Sequence, residues 1–141
     1  MHVSAKADYA LRALLEIAAG QPRPVSMAEL VERQALPRSF AVSILPELRR
    51  AGFVRMRRDG AVGYTLARPA ESITVGEVLR VVDGPPVLVR GVPPGELAYP
   101  AAAGGLAGLW RRAEAGLSVL LGETSLADLL AGMLAGQAVP S

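Results

Sequence analysis

Apolar residues recur along this chain with two different periods, and the change of period marks where its elements change. Ala7, Ala10, Leu11, Leu14, Ile17 and Ala18 follow helical spacing, with Ser4 ahead of them as an N-cap and Gly20, Pro22 and Pro24 ending the pattern. Ser26 and Glu29 form a capping-box pair before Leu30 and Val31, which predicts a second helix over residues 27–34. A third helix begins at Pro37, where a first-turn position needs no amide hydrogen, and runs to Ala51 with Gly52 as its stop. Only Ala35 and Leu36 are left to connect the two, so they meet at a steep angle, as in a helix-turn-helix.

Beyond Gly52 the period drops to two. Residues 53–57 and 62–67 read as strands joined across Asp59-Gly60, a pair suited to the positive φ of a tight hairpin. After Pro69, Thr74 and Glu77 repeat the capping-box pattern before Val75, Val78, Leu79 and Val82, predicting a short fourth helix. Residues 84–105 are rich in proline and lack periodicity, which predicts an irregular connection. Leu106, Leu109, Trp110, Ala113, Leu117, Leu120 and Leu121 then form a helical stripe ending at Gly122. Ser125 and Asp128 open a short final helix carrying Leu126, Leu129, Leu130 and Met133.

The predicted fold is mainly α with a small β-hairpin wing. A winged helix-turn-helix domain covers residues 1–68, and a fourth helix with an irregular, sensor-position segment covers 69–105. A dimerisation helix and a short final helix cover 106–135, followed by a tail over 136–141. The long stripe would leave an apolar flank exposed on a single small domain, so all seven of its residues are expected at a homodimer interface. Trp110 is read as packing or interface within that stripe, and Tyr99 is a candidate for lining an effector pocket.

With 141 residues, 51% of them hydrophobic, the chain can bury a real core. The longest charge-free run, residues 97–110, is broken by Pro100, Gly104, Gly105 and Gly108 and is too short to span a bilayer. Lys6, Asp8, Arg12 and Glu16 interrupt any apolar stretch of signal-peptide type, so a cytoplasmic location without a membrane partner is expected. The absence of cysteine excludes disulfides and thiolate metal sites, and no metal is expected. No nucleophile with a nearby base, metal-ligand spacing or phosphate loop is visible, which argues against an enzyme.

Charge adds a direction. Residues 1–68 hold eleven Lys/Arg against six Asp/Glu, a balance of +5, whereas residues 69–141 hold four against seven, a balance of −3. The first part is therefore matched to a polyanion, and double-stranded DNA is the expected partner. Arg38, Arg49, Arg57 and Arg58 are candidates for phosphate contact, and Lys6 on the first helix is another. Arg58, at the shoulder of the wing, can also reach a minor groove.

These residues carry a resemblance. The opening Ser4-Ala5-Lys6-x-x-Tyr9-Ala10-Leu11-Arg12-Ala13-Leu14, the segment Leu48-Arg49-Arg50-Ala51-Gly52-Phe53-Val54, and Arg58 with Gly63-Tyr64-x-Leu66 occur in order. Ile73-Thr74-Val75-Gly76-Glu77-Val78 and Leu109-Trp110-Arg111-Arg112 follow them. Together they resemble the Rrf-two family of bacterial transcription regulators, also called the BadM or IscR type, over nearly the whole chain. The resemblance implies a homodimer whose long C-terminal helices cross between subunits, so that two winged helices address a near-palindromic operator. It also implies that Ser39 and Ser43 reach base edges, and Val42 between them offers an apolar surface suited to a thymine methyl. Repression is the expected sign of regulation, and any small-molecule effector is unidentified. The rival expectation is a winged-helix protein-interaction module, or a regulator that has lost DNA binding.

Three departures from the family pattern stand out. Members that bind an iron-sulfur cluster do so through cysteines between the fourth helix and the dimer helix, and residues 87–108 contain none here. Asp8 matches a carboxylate that some relatives use, but the second-helix region has no histidine, and His2 is the chain's only one. A lone carboxylate suits iron of this kind poorly, so no cluster is expected. Pro46 falls inside the third helix, where it is expected to kink the helix or cost on the order of 3 kcal/mol. The wing tip, Asp59 to Gly63, is poorer in glycine than the family's and so stiffer, and Asp59 opposes close approach to phosphate.

Overall fold

The computed structural model describes residues 1–134 together with 137 and 138. Helix α1, Ala5–Gly20, starts at Ser4, whose Oγ accepts from the Ala7 amide at 3.0 Å. Its buried residues Ala7, Ala10, Ala13, Leu14 and Ile17 lie three or four apart or side by side, so they form one face. Around that face pack α2 (Met27–Gln34), α3 (Arg38–Arg50), α4 (Val75–Asp83) and α6 (Leu126–Leu130). The main cluster joins Leu14, Ile17, Leu30, Ile44, Leu45 and Leu48 to Phe53, Val54 and Leu66 of the hairpin, and to Ile73, Val78 and Leu126 farther along.

Helix α2 is capped by Ser26, as its pattern predicts, and ends at Ala35 in the left-handed region with φ 50°. That conformation costs an alanine about 1 kcal/mol. Arg12 holds the junction from α1: its guanidinium donates to the Gln34 carbonyl and to Gln34 Oε1, and sits 5.0 Å from the Tyr9 ring centre. Gln34 Nε2 in turn donates to Glu16 at 2.7 Å. Helix α3 then continues through Pro46 as a single helix. Pro46 lies on the exposed side, while Ile44, Leu45 and Leu48 around it are fixed in the core.

Strands β1 (Val54–Arg57) and β2 (Gly63–Leu66) pair antiparallel, with Val54 opposite Leu66 and Arg57 opposite Gly63. The loop between them, residues 58–62, is longer than the tight turn expected, and of the Asp59-Gly60 pair only Gly60 takes a positive φ, +79°. A third segment joins this hairpin. Val25 exchanges two backbone hydrogen bonds with Tyr64, at 2.9 and 2.8 Å, tying the wing to the start of α2. Gly63 lets the two backbones approach: a Cβ there would stand 2.7 Å from the carbonyl carbon and oxygen of Val25.

Helices α4 and α6 begin side by side, each with a complete capping box, Thr74 with Glu77 and Ser125 with Asp128. The Val75 amide donates to Thr124 and the Leu126 amide to Ile73, both at 2.9 Å, so the chain's last described helix closes onto the first core. Met133 does not extend α6 as expected. Gly132, with φ +73°, ends that turn, and β3 (Met133–Leu134) pairs antiparallel with β4 (Gln137–Ala138). Apart from these two β4 residues, the expected tail lies outside the described residues.

The irregular segment has local order. Arg90 and Gly91, at φ 55° and 75°, form a two-residue turn closed by the paired backbones of Val89 and Val92. Pro94 and Leu97 are buried, and Tyr99 Oη accepts from Trp110 Nε1 at 3.1 Å. Helix α5, Gly105–Gly122, packs on the turn Pro94–Glu96 and, near its C-terminal end, on α4. There a Cβ at Gly76 would stand 3.2 Å from the Leu121 carbonyl carbon.

Two expectations follow. Gly63→Ala should lower stability by about 1–3 kcal/mol through the overlap with Val25, read as a lower urea midpoint at unchanged m. The second concerns Glu77, whose Oε2 accepts from Arg68 Nη2 at 2.8 Å and from the Thr74 amide at 3.0 Å. The Arg68 hydrogen bond, foremost, holds this carboxyl below its ordinary range, against a smaller opposing influence of burial. The stability it contributes is present above the unfolded value and is lost as pH falls through the lowered folded value. Glu77→Gln should therefore lower the urea midpoint at neutral pH, and the gap from wild type should close as pH falls below 4.5.

Candidate nucleic-acid interface

Burial of Ala41, Ile44, Leu45 and Leu48 fixes which side of α3 faces out. On the opposite side Ser39, Val42, Ser43, Pro46, Arg49 and Arg50 are all exposed, at spacings that keep them on one stripe, and Arg38 stands exposed at its start. Val42 is 54% exposed, so its apolar side chain is open to a partner along this stripe. The start of α3 also differs from its neighbours. Ser4, Ser26, Thr74 and Ser125 cap α1, α2, α4 and α6, whereas α3, like α5, has no side-chain cap and no acidic residue in its first turn. Its leading amides are thus available to an anion.

The wing supplies cations beside this stripe. Arg55 and Arg57 alternate outward on β1, and Arg58 follows in the turn, all exposed. Arg57 Nε lies 3.8 Å from Asp59 Oδ1, a loose pair whose carboxylate is 89% exposed and therefore well screened. Arg49 links the two elements. It lines a depression of 420 Å³ with Pro46, Arg50 and Tyr64, and another of 580 Å³ with Arg55 and Met56.

The predicted contact residues Arg38, Ser39, Val42, Ser43, Arg49, Arg57 and Arg58 are thus on the exposed surface of α3 and the wing. Lys6 lies at the edge of the same surface, lining a small depression with Ser39, Phe40 and Ser43, but its ammonium is bonded to Glu47 Oε2 at 2.6 Å. Arg50 and Arg55 are surface cations that the sequence reading passed over. Arg50 falls seven residues after Ser43 on the same stripe, and Arg55 alternates with Arg57, so the helical and strand periods carried the signal for both.

The stripe on α5 divides. Leu106, Leu109, Ala113 and Leu120 face solvent, with Leu109 53% and Leu120 48% exposed. Trp110, Leu117 and Leu121 are half-buried, Leu121 packing on the Ala7, Val75 and Leu79 cluster. Val119, outside the predicted stripe, is 57% exposed. Among the described residues no helix is long and apolar enough to cross a membrane, and no three His, Asp or Glu side chains are grouped to hold a metal ion.

This chain matches, over residues 3–132, the Rrf2 family model, described as an iron-dependent transcriptional regulator. It is 40% identical to Rv1287 of Mycobacterium tuberculosis over 95% of its own length and 84% of that protein. It is 34% identical to the HTH-type transcriptional regulator IscR of Cereibacter sphaeroides, over 92% of its own length and 87% of that protein. Among solved structures, CymR of B. subtilis, the global cysteine regulator, superposes with a TM-score of 0.76 at 28% identity, covering 92% of this chain and 95% of that one. IscR of T. potens gives 0.76 at 27% identity, covering 100% and 94%. The winged helix-turn-helix and the agreement with these regulators along nearly the full length have one meaning: the chain belongs to the Rrf2 family of transcriptional regulators, not to a family of enzymes.

Proposed function

We propose that this chain is a homodimeric repressor that binds a near-palindromic operator and works without an iron-sulfur cluster. The observation that carries the reading is α3 itself, anchored on one side, uncapped at its start, and wholly exposed along the stripe from Ser39 to Arg50 beside an arginine-bearing hairpin. A helix so placed enters a major groove, with Ser39, Val42 and Ser43 toward base edges and Arg38, Arg49 and Arg50 toward phosphates. Arg57 and Arg58 extend the contact from the wing to the backbone or minor groove.

Assembly is supported by α5, of whose eighteen residues only Ala107 is buried. A second copy seated on Leu106, Leu109, Ala113 and Leu120 removes this apolar surface from water and sets two α3 helices about 34 Å apart, one turn of DNA. Repression needs the fewest further parts, because a dimer across a promoter excludes polymerase by occupancy alone. The donor set supports a cluster-free regulator. The chain has no cysteine, so residues 87–108 between α4 and α5 offer no thiolate. Iron in such clusters is held mainly by thiolates, so the residues present do not fit one. The signal that is sensed must then act through other chemistry, with a small-molecule effector as the simplest form.

Operator fragments recovered by genome-wide mapping would test DNA contact directly. Arg58→Ala should weaken binding to such a fragment and flatten the slope of log affinity against log salt by up to about 0.9, measured by fluorescence anisotropy. An unchanged slope would remove Arg58 from the contacts. For assembly, Leu109→Glu should turn a dimer into a monomer in sedimentation equilibrium and reduce operator affinity at least about 100-fold, with circular dichroism unchanged. A wild-type chain that sediments as a monomer at micromolar concentration would overturn the dimer.

A further inference from the structure

We propose that Glu47 is a positioning residue that withholds Lys6 from DNA, so that phosphate attraction independent of sequence is smaller than the number of cations on this face suggests. The inference rests on the DNA-binding reading above. Lys6 Nζ lies 2.6 Å from Glu47 Oε2, and the two side chains are only 36% and 24% exposed. The pair joins α1 to α3 at the rim of the reading stripe, since Lys6 lines the same depression as Ser39 and Ser43, and Glu47 follows Ser43 by one helical turn. Its tightness and shelter separate it from the loose Arg57–Asp59 contact at 3.8 Å. Arg38, Arg49, Arg50, Arg55 and Arg58 have no carboxylate partner among the described residues.

A phosphate arriving at Lys6 meets one of two geometries. If the ammonium keeps its bond to Glu47, it brings no net charge to exchange for a counterion. If it turns to donate to both, the Glu47 carboxylate stays within reach of the phosphate and repels it. In either case the pair contributes little to the release of condensed cations that drives sequence-independent binding. The serines and Val42 beside it, which read base edges, are unaffected by this loss. Discrimination rises because the common background falls, not because a contact is added.

The test is a double-mutant cycle on salt dependence, using the full chain and a fluorescein-labelled duplex of mixed sequence. Glu47→Gln keeps the shape of the side chain and releases the Lys6 charge. It should tighten binding at low salt and steepen the slope by about 0.9, so that the affinity lost between about 50 and about 200 mM salt grows by about 3.5-fold. Lys6→Ala should remove most of that increment in the Glu47→Gln background, and should flatten the slope by less than half as much when Glu47 is present. Equal effects of Lys6→Ala in both backgrounds, or a Glu47→Gln slope equal to wild type, would overturn the inference while leaving DNA binding in place. Failure of all four proteins to bind duplex at low salt would instead overturn the DNA-binding reading and this inference with it. Thermal unfolding of each variant shows whether the fold is kept, and Lys6→Met supplies a second neutral variant with a longer apolar stem if Lys6→Ala unfolds.

Discussion

The small, buried face of α1 is the constraint on which the rest of the structure depends. Ala7, Ala10 and Ala13 are at most 1% exposed, and their lack of bulk lets α4, α6 and the α2–α3 pair approach one helix from several directions. A larger side chain at any of these positions would push outward an element whose orientation matters for α3. The same helix carries the polar contacts that set α3 in place. Arg12 holds the end of α2, Lys6 reaches Glu47, and Ser4 bonds to Asp83 at the end of α4 through its amide and hydroxyl, at 3.0 and 2.5 Å. Packing thus brings the helices close, and directional bonds from the start and middle of α1 fix how they are turned.

Much of this fold was legible in the sequence because its signals are local. Ser4, Ser26, Thr74 and Ser125 each precede the helix their pattern predicts, and each accepts a hydrogen bond from the first turn. The hairpin around Asp59-Gly60 was equally visible, since strand alternation broken by a turn dipeptide needs no information from far along the chain, although its loop, residues 58–62, is longer than a tight turn. What escaped was non-local. No periodicity shows that Val25 would pair with Tyr64, that Gly63 exists to admit it, or that Leu126 would return to the first core. Pro46 shows how context bears on a local signal: the helix continues past it with Ile44, Leu45 and Leu48 around it in the core.

The candidate interface shows the same division. That α3 would expose Ser39, Val42 and Ser43 follows from helical spacing once its buried side is known, and Arg57 and Arg58 follow from the hairpin. Lys6 shows the limit of reading charges singly. Its place on the first helix is evident from sequence, whereas its pairing depends on a residue forty-one positions away on a different helix. The long stripe on α5 was likewise visible as a stripe, but its division between an inner side, held by α4, and an outer side open to solvent is a property of the folded protomer.

That division has a mechanical consequence. Helix α5 rests on the turn Pro94–Glu96 and is clamped at its finish, where Gly76 meets Leu121 and the Val75 amide meets Thr124. Among the described residues, no packing has to be undone for another surface to settle against exposed Leu106, Leu109 and Leu120. Whatever docks there meets a rigid, finished face, so the cost of ordering has already been met during folding. For the second copy proposed to dock there, encounter would be the collision of two preformed bodies, its rate governed by diffusion and orientation.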